Sequence, residues 1–298
     1  MTRALVGVDW GTSSLRVARL DDGGDVIEDR AFERGILTVP PGEFPSVLKQ
    51  CCGDWIAGDA LVLVCGMAGS RGAWLEAPYA RCPAGFSDVA SHLAWVEPGR
   101  VAIVPGLRCQ ARGTPDVMRG EETQVFGALR LLGLRDATLV LPGTHSKWVR
   151  VENQKITGFS TFMTGEFFAL LRHHSILART LPAEDDTLVE PAFVRGLKQA
   201  QASGSLLNGA FTARSRSLVG DITQADGLSY LSGLLIGEEL RAQALSAVHG
   251  KVVIVGSTVL AERYALALRE SGVDSIPLGS TATWHGLRAI AGTLEEKA

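Results

Sequence analysis

The segment Asp9-Trp-Gly-Thr-Ser-Ser14 carries the strongest chemical signal of the sequence. It follows a short apolar run, and an aspartate at the tip of a buried strand needs a partner for its charge, for which a metal ion is a common choice. Gly11 lets the backbone approach a ligand, and Thr12 and Ser13 can donate hydroxyl and amide hydrogens to phosphate oxygens. We predict a nucleotide phosphate site at this turn, with Asp9 beside the metal. An ordinary hairpin turn is the alternative.

A second turn, Pro142-Gly-Thr-His-Ser-Lys147, offers a similar set of groups. Gly143 and Thr144 can present backbone and hydroxyl donors to an anion, and the ammonium of Lys147 can act as a point charge on a phosphate. Each of the two turns joins two β-prone runs and carries Gly-Thr at its tip. This internal echo predicts two related lobes that face one cleft.

Two adjacent glutamates lie between these turns, in Gly120-Glu121-Glu122. Val125 and Leu129 continue at helical spacing, so the carboxylates fall in the first turn of a predicted helix, where the macrodipole favours their ionised form. A carboxylate in this position is a candidate general base for a substrate hydroxyl. Capping of the helix by the same glutamates is the alternative.

The loop after a buried strand at 60–65 contains candidate substrate ligands. Ser70, Arg71 and Trp74 can bind a polar or anionic molecule, because an arginine fork matches a carboxylate in a bidentate way. Arg119 is a second candidate for contact with an anion, and a surface role for it is equally open.

Near the C-terminus, Gly256 and Ser257 connect an apolar run to a helical pattern. A strand followed by Gly-Ser at a helix start lets a nucleotide rest against backbone amides. The sequence lacks G-x-G-x-x-G, G-x-x-x-x-G-K-[ST], H-E-x-x-H and G-x-S-x-G. These absences argue against a Rossmann dehydrogenase, a Walker-type ATPase, a histidine metal site and a serine hydrolase.

Strand and helix patterns alternate along the chain, which indicates an α/β fold. The predicted strands are Leu5–Val8, Ser14–Leu20, Val26–Ala31, Ala60–Cys65, Val101–Val104, Thr138–Leu141, Trp148–Val151 and Lys251–Val255. The predicted helices include Phe44–Ile56, Glu121–Leu132, Glu166–Leu177, Leu228–Val248 and Val259–Glu270. Arg112-Gly-Thr-Pro-Asp116 breaks the pattern, which predicts an N-terminal lobe of residues 1–115 and a C-terminal lobe of residues 116–298.

The composition fits a protein with a large core, since 46% of its 298 residues are hydrophobic and its formal net charge is −3. This balanced charge argues against a nucleic acid or a membrane surface as partner. The five cysteines form no C-x-x-C pair, which disfavours a disulfide framework. No apolar run approaches the roughly 20 residues of a membrane span. We expect a soluble cytoplasmic protein with reduced, mostly buried cysteines, and leave a homodimer open.

The order of these motifs resembles that of the sugar kinase, Hsp70 and actin superfamily. There, a first phosphate turn, a catalytic carboxylate, a second phosphate turn and an adenosine turn follow one another along the chain. Within this superfamily the chain closely resembles the 2-dehydro-3-deoxygalactonokinase family over nearly its whole length. The segments that carry this resemblance are Asp9-Trp-Gly-Thr-Ser, Gly66-Met-Ala-Gly-Ser-Arg, Glu76-Ala-Pro-Tyr, Met118-Arg-Gly-Glu-Glu-Thr-Gln, Pro142-Gly-Thr-His-Ser-Lys-Trp, Thr161-Phe-Met-Thr-Gly-Glu and Tyr230-Leu-Ser-Gly-Leu-Leu-Ile-Gly-Glu.

The resemblance implies an actin-like ATPase fold of two ribonuclease-H-like lobes. It implies ATP-dependent phosphorylation of 2-dehydro-3-deoxy-D-galactonate at its terminal 6-hydroxyl, in galactonate catabolism, with ATP and Mg²⁺ as cofactors. Asp9 would organise the Mg²⁺ through water, and a glutamate at 121 or 122 would act on the sugar hydroxyl. The phosphates would be held by Thr12, Ser13, Thr144 and Lys147, and the adenosine would be flanked by Gly256 and Ser257.

Two features depart from the superfamily pattern. Many sugar kinases place an aspartate as base, so the base here is left open among Glu121, Glu122 and Asp116, in that order of preference. Pro142 stands where many relatives carry an acidic residue, which puts a second carboxylate near the metal in question. The rival functions are a kinase for another 2-keto-3-deoxy acid or sugar, a non-catalytic ATP-binding sensor of the same fold, and a phosphatase that uses water as acceptor.

Overall fold

A computed structural model of the chain describes residues 3–111, 113–183, 187–243, 245 and 250–295. Within these ranges the strands are β1 (Leu5–Trp10), β2 (Leu15–Leu20), β3 (Val26–Phe32), β4 (Leu61–Gly66), β5 (Tyr79–Arg81), β6 (Ala94–Glu97), β7 (Val101–Ile103), β8 (Gly106–Ala111), β9 (Thr114–Met118), β10 (Ala137–Leu141), β11 (Ser146–Glu152), β12 (Lys155–Phe162), β13 (Val252–Val255) and β14 (Ser275–Leu278). The helices are α1 (Phe44–Cys52), α2 (Phe86–Ala90), α3 (Glu121–Leu132), α4 (Thr164–His174), α5 (Glu190–Ala202), α6 (Leu206–Leu218), α7 (Gly227–Gln243), α8 (Thr258–Glu270) and α9 (Ala282–Glu295).

The two larger sheets repeat one topology. In the first, β1 pairs with β2 and β2 with β3 in antiparallel register, while β4 and β7 are added in parallel, which gives the order β3-β2-β1-β4-β7-β6. The second has the order β12-β11-β10-β13-β14, with β13 parallel to both β10 and β14. Over five strands the arrangement is the same, so the echo between the two Gly-Thr turns reflects a repeated sheet.

Most predicted elements are present with small shifts at their ends. The helix predicted at Phe44–Ile56 stops at Cys52, because Gly53 has φ +57° and turns the chain into a short 3₁₀ segment. The helix predicted at Leu228–Val248 is α7, which ends at Gln243. The rest of that prediction lies largely outside the described residues.

The chain packs into two compact units, each built from more than one segment. Unit 1 comprises residues 1–137, 149–160 and 280–298, and unit 2 comprises residues 138–148 and 161–279. The single division into lobes 1–115 and 116–298 stays a prediction. The described part of its boundary region contains β9, which pairs with β8 in the three-stranded sheet β5-β8-β9.

In unit 2, α7 is held against α5 by glycines at the crossing. A β-carbon at Gly233 would lie 2.0 Å from the carbonyl oxygen of Phe193, and one at Gly196 would lie 2.1 Å from that of Tyr230. Any larger residue would force the two helices apart. This close approach fixes the position of α7, which carries Glu239 among its buried residues.

None of the described helices is both long and apolar enough to cross a membrane. All five cysteines are free thiols, and Cys51, Cys52 and Cys65 are buried. The expectation of unpaired, mostly buried cysteines is therefore confirmed.

Candidate functional site

The first phosphate turn lies between β1 and β2, as the sequence predicts. Its amide and carbonyl close the turn, with the N–H of Gly11 donating to the carbonyl oxygen of Ser14 at 2.9 Å. The side chains of Thr12 and Ser13 are exposed. Hydroxyl donors at the tip of a rigid hairpin suit an anion, which fits the predicted phosphate role.

Asp9, the last residue but one of β1, forms an ion pair that the sequence did not reveal. The register of the hairpin places it opposite Arg16 on β2, and Oδ2 of Asp9 lies 2.5 Å from Nη2 of Arg16. The aspartate side chain is 23% exposed, so the pair is partly screened by solvent. Arg16 thus supplies the charge partner that a carboxylate at the tip of a buried strand requires.

The surroundings of Asp9 fit a largely hydrated Mg²⁺. A β-carbon at Gly66 would lie 3.4 Å from Oδ1 of Asp9, so the glycine keeps space open beside this oxygen. In the part of the chain that the structure describes, no three acidic, histidine or cysteine side chains are grouped as in a protein cage for a metal. Mg²⁺ commonly takes one or two carboxylates together with phosphate and water oxygens. One carboxylate with open space on one side meets that requirement.

The segment 35–37 packs directly against the first phosphate turn. The N–H of Ile36 donates to the carbonyl oxygen of Gly11 at 3.0 Å, and that of Leu37 donates to Thr12 at 3.4 Å. A β-carbon at Gly35 would lie 2.1 Å from the carbonyl oxygen of Thr12. Only glycine allows this contact, so the segment is closely fitted to the turn. No motif in the sequence pointed to it.

A cavity of about 170 Å³ in unit 1 joins this segment to the predicted substrate loop. Its lining residues are Ile36, Leu37, Val39, Pro41, Phe44, Ser70, Arg71, Gly72 and Ala73. Arg71 is exposed, and Ser70 donates its hydroxyl to the carbonyl oxygen of Met67 at 2.7 Å. Trp74 stands behind the wall, with its ring 5.9 Å from that of Phe44 in a stacked arrangement. Three of the four predicted substrate residues therefore gather at one cavity or its wall.

Arg119, the fourth predicted substrate residue, lies inside unit 1. Its side chain is 9% exposed, its guanidinium stacks 4.4 Å from the centre of the Tyr79 ring, and Nη2 donates to the carbonyl oxygen of Ala77 at 2.8 Å. Within the described residues, Nε and Nη1 of this side chain have no hydrogen-bond partner. Through its hydrogen bond to Ala77, Arg119 connects the segment that follows the substrate loop to the start of α3. Its contact with an anion stays a prediction.

The two glutamates at the start of α3 occupy different environments. Glu121 is partly exposed, and its Oε2 accepts the N–H of Arg119 at 3.0 Å. Glu122 is fully buried, and both of its oxygens accept the N–H of Gly120, at 3.0 and 2.8 Å. Both side chains therefore bond back to the helix start, as the capping alternative expects, but only Glu121 is within reach of solvent. Asp116, on β9, accepts the N–H of Val117 at 2.8 Å.

Glu122 should give the stability of the chain a pH dependence. Burial raises the pKa of its carboxyl to about 8, the charge of Glu121 adds to this rise, and hydrogen bonds from the backbone oppose it. The ordinary value of 4.5 applies to the unfolded chain, so the folded state keeps a proton that the unfolded state has lost. The stability that this group contributes is complete below about pH 4.5 and is lost as the pH rises to about 8.

We expect Glu122→Gln to remove most of that loss, because glutamine cannot ionise and keeps one oxygen for Gly120. The free energy of unfolding, measured by urea titration between about pH 5 and pH 8, should fall in the wild type by about 1.4 kcal/mol per pH unit more than in the variant. Glu121→Gln is the matched control, and should keep most of the slope since desolvation is the larger cause. Equal slopes for the wild type and Glu122→Gln would contradict this account.

In unit 2, the second phosphate turn lies between β10 and β11. Thr144 is exposed, whereas the Lys147 side chain is only 5% exposed, with Nζ 3.5 Å from the carbonyl oxygen of His145. The start of α4 packs against the turn, because a β-carbon at Gly165 would lie 2.4 Å from the carbonyl oxygen of Gly143. The turn is thus held from behind by a helix N-terminus.

Sequence reasoning missed a hydrogen-bonded pair of side chains at this second turn. Nε2 of His145 lies 2.6 Å from Oε2 of Glu166, and both side chains are more than a third exposed. The two residues appear in separate motifs, 21 positions apart, so their contact follows only from the packing of α4 against the turn. The pair adds an imidazole, fixed by a carboxylate, to the groups that face solvent here.

The turn predicted to flank adenosine lies beside the second phosphate turn. A β-carbon at Gly256 would lie 3.5 Å from Cδ of Pro142, which follows from the parallel pairing of β10 with β13. Ser257 precedes the first residue of α8 and is exposed. The structure therefore brings together two of the predicted nucleotide segments within unit 2.

Comparison with known proteins decides the family. A sequence model of the family described as 2-keto-3-deoxy-galactonokinase matches residues 9–290 of the chain. The chain belongs to the 2-keto-3-deoxy-galactonokinase family. It is 35% identical over 293 residues to the 2-dehydro-3-deoxygalactonokinase of Escherichia coli K12, with 98% of both chains covered. The resemblance read from the sequence motifs is thereby confirmed.

Solved structures support both the family and the fold. A crystal structure from Sinorhizobium meliloti, assigned as a 2-dehydro-3-deoxygalactonokinase, matches this family member with a TM-score of 0.88 at 35% identity, covering 97% of this chain and 99% of the other. The ADPNP-bound activator of 2-hydroxyisocaproyl-CoA dehydratase from Clostridium difficile matches with a TM-score of 0.53 at 13% identity, covering 99% and 97% of the two chains. The second likeness concerns the fold alone. The predicted actin-like ATPase fold of the α/β class is confirmed.

Proposed function

We propose that this member of the galactonokinase family transfers the terminal phosphoryl group of ATP to the 6-hydroxyl of 2-dehydro-3-deoxy-D-galactonate, giving the 6-phosphate and ADP. The E. coli relative is named as a 2-dehydro-3-deoxygalactonokinase, which supports this sugar acid as the substrate. The reaction would serve galactonate catabolism. We place the reaction in the cytoplasm, and a homodimer stays a prediction.

The observation that supports this assignment best is that one segment of unit 1 both contacts the first phosphate turn and lines the cavity. Ile36 and Leu37 are hydrogen bonded to the first phosphate turn and also line the cavity beside Ser70 and Arg71. A phosphoryl group at the turn and an acceptor in the cavity would therefore be neighbours. Phosphoryl transfer depends mainly on such positioning and on charge stabilisation.

Arg71 is the proposed ligand for the carboxylate of the sugar acid. Its guanidinium is exposed at the cavity, and its planar fork can take a carboxylate through two parallel hydrogen bonds. The hydroxyl of Ser70 can turn from the carbonyl oxygen of Met67 to a sugar hydroxyl, since both are acceptors. A neutral sugar lacks the carboxylate and would leave Arg71 without this partner.

The phosphoryl transfer itself requires few groups. The proposed phosphate ligands are Thr12, Ser13, Thr144 and Lys147, and Asp9 is the proposed carboxylate for Mg²⁺. When bound, Mg²⁺ would offset the negative charge of the phosphate oxygens. The hydroxyl oxygen of the acid bonds to the γ-phosphorus as the bond from that phosphorus to ADP breaks, and the hydroxyl proton passes to Glu121.

An assay of ADP release tests this function. Wild-type protein with ATP and Mg²⁺ is offered 2-dehydro-3-deoxy-D-galactonate, its stereoisomers, neutral sugars of similar size and no acceptor. We expect the highest kcat/KM for the D-galacto acid, by roughly tenfold or more over a neutral sugar, because a site built for a polar group rejects analogues that lack it.

The other results distinguish the rival functions. A higher kcat/KM for another acid or sugar would reassign the substrate. Phosphate release without an acceptor would indicate a phosphatase, and nucleotide binding with no turnover on any acceptor would indicate a sensor.

A further inference from the structure

Glu239 is a buried carboxylate on α7 that none of the roles above uses. Its side chain is 2% exposed, and its two oxygens accept hydrogen bonds from four side chains. Oε1 accepts from the hydroxyl of Ser146 at 2.8 Å and from Nε1 of Trp148 at 2.6 Å. Oε2 accepts from the hydroxyl of Tyr264 at 2.8 Å and from that of Thr164.

Glu239 accepts from all four partners in this arrangement. An indole N–H can only donate, and burial together with the charge of Glu239 keeps the pKa of Tyr264 well above its ordinary value, so the phenol keeps its proton. A carboxylate offers about four acceptor positions, and each is taken here. Burial raises the pKa of Glu239, and the four hydrogen bonds oppose that rise.

A buried carboxylate is an energetically unfavourable residue for filling a core. A buried charge costs several kcal/mol of desolvation, and apolar side chains of similar volume are often as stabilising or more so. A purely structural need would therefore be met at lower cost by leucine or methionine. What the carboxylate adds is direction, because it fixes four donors at set positions and angles.

The four donors belong to the segments that surround the predicted nucleotide turns of unit 2. Ser146 and Trp148 are in β11, which begins where the second phosphate turn ends. Thr164 is the first residue of α4, and the N–H of Glu166 two residues later donates to the carbonyl oxygen of Thr144 at 3.0 Å. Three of the four hydrogen bonds therefore hold the phosphate turn from two sides.

The fourth donor connects Glu239 to the other nucleotide turn. Tyr264 lies on α8, the helix that begins directly after Gly256 and Ser257. Its hydroxyl also lies 3.3 Å from that of Ser146, which closes the network. One carboxylate thus joins the strand after the phosphate turn to the helix after the adenosine turn.

From this geometry we infer that Glu239 is a positioning residue that sets the second phosphate turn and the Gly256–Ser257 turn relative to each other for nucleotide binding. The inference rests on the proposed function in so far as that function assigns a nucleotide to these turns. The packing around a cavity of about 70 Å³ supports it, because Thr164 and Tyr264, the two partners of Oε2, line this cavity together with Gly143 and Arg263.

Direct binding measurements on the whole chain test the inference. Glu239→Leu removes all four acceptor positions at a similar volume, whereas the NH₂ of a glutamine could donate to the hydroxyls of Thr164 and Tyr264 and so keep the network. We expect the Kd for ADP, measured by titration calorimetry, to rise on the order of tenfold or more. The Kd for the sugar acid should stay within about twofold, since the substrate cavity belongs to unit 1.

Two further variants make the result specific. Glu238→Leu is the matched control, because it makes the same change at the adjacent glutamate of the same helix, whose carboxylate pairs with Arg241. It should leave both dissociation constants within about twofold. Tyr264→Phe removes a single donor and leaves three, so it provides a folded variant should Glu239→Leu be too unstable to purify. It should weaken ADP binding by a smaller factor.

The outcomes separate positioning from simple stabilisation. A fall in the melting temperature with an unchanged Kd for ADP in folded Glu239→Leu or Tyr264→Phe would overturn the inference, as would equal losses for ADP and the sugar acid. Because ADP binding needs no acceptor, a wild type that binds ADP but phosphorylates no sugar acid would refute the proposed function and leave this inference standing.

Discussion

Asp9→Asn should lower kcat by on the order of 10²-fold or more while the KM for the sugar acid stays within about twofold. The side chain lies one residue before the end of β1, with Oδ2 paired to Arg16 and Oδ1 beside the space that Gly66 keeps open. Asparagine keeps the shape but removes the negative charge that would bind Mg²⁺, either directly or through water. Steady-state kinetics with the acid varied at saturating ATP measure both constants.

The dependence of the rate on Mg²⁺ concentration provides a second test of the role of Asp9. If Asp9 holds the ion, the Mg²⁺ concentration for half-maximal rate should rise in Asp9→Asn. Asp25→Asn is a suitable control, because it makes the same chemical change at a carboxylate whose side chain is 78% exposed. Near-normal turnover for Asp9→Asn would refute the metal role.

Most strands that the sequence predicted are buried, although β3, which it also predicted, is largely exposed. β4 and β13 are continuous runs of apolar residues, as is the part of β1 before Asp9, and such runs are most stable in the middle of a sheet. β5 and β9 were missed because they are short and mostly exposed, so their side chains carry little periodicity. These strands are defined by their pairing with β8, which is a tertiary property.

In the candidate site, too, the sequence shows which chemical groups are present but not which of them lie close together. The sequence identified the groups at the two Gly-Thr turns, because glycine, hydroxyl and charge together are visible in a motif. It could not show that Arg119 would be stacked on Tyr79, or that Ile36 and Leu37 would connect the turn to the cavity. Those facts depend on which segments pack together.

Glu239 is an instructive case, because a signal for it was present in the sequence. It follows Leu235 by four positions and Ile236 by three, so it falls on the apolar face of a helical pattern. An acidic residue at such a position is predicted to be buried, and a buried carboxylate needs partners. The sequence alone does not say which side chains supply them.

Glu121→Gln should be the more damaging of the two glutamate changes, with a single-turnover rate lower by about 10²- to 10⁴-fold, the usual contribution of a positioned general base. Glu121 is the partly exposed member of the pair, whereas Glu122 has no exposed surface and both of its oxygens face the N–H of Gly120. A base must come within hydrogen-bond reach of the hydroxyl proton. Only Glu121 can do so without unpacking the start of α3.

The two glutamates are also expected to differ in their protonation at pH 7. Because the pKa of Glu122 is raised to about 8, its carboxyl is mostly neutral at pH 7, and Glu122→Gln replaces one neutral group by another. We therefore expect Glu122→Gln to change the rate at pH 7 by less than about tenfold. Asp116→Asn, at the third candidate position, should have a small effect as well. Comparable losses in Glu121→Gln and Glu122→Gln would leave the base unassigned between them, and a large loss only in Asp116→Asn would move the role to β9.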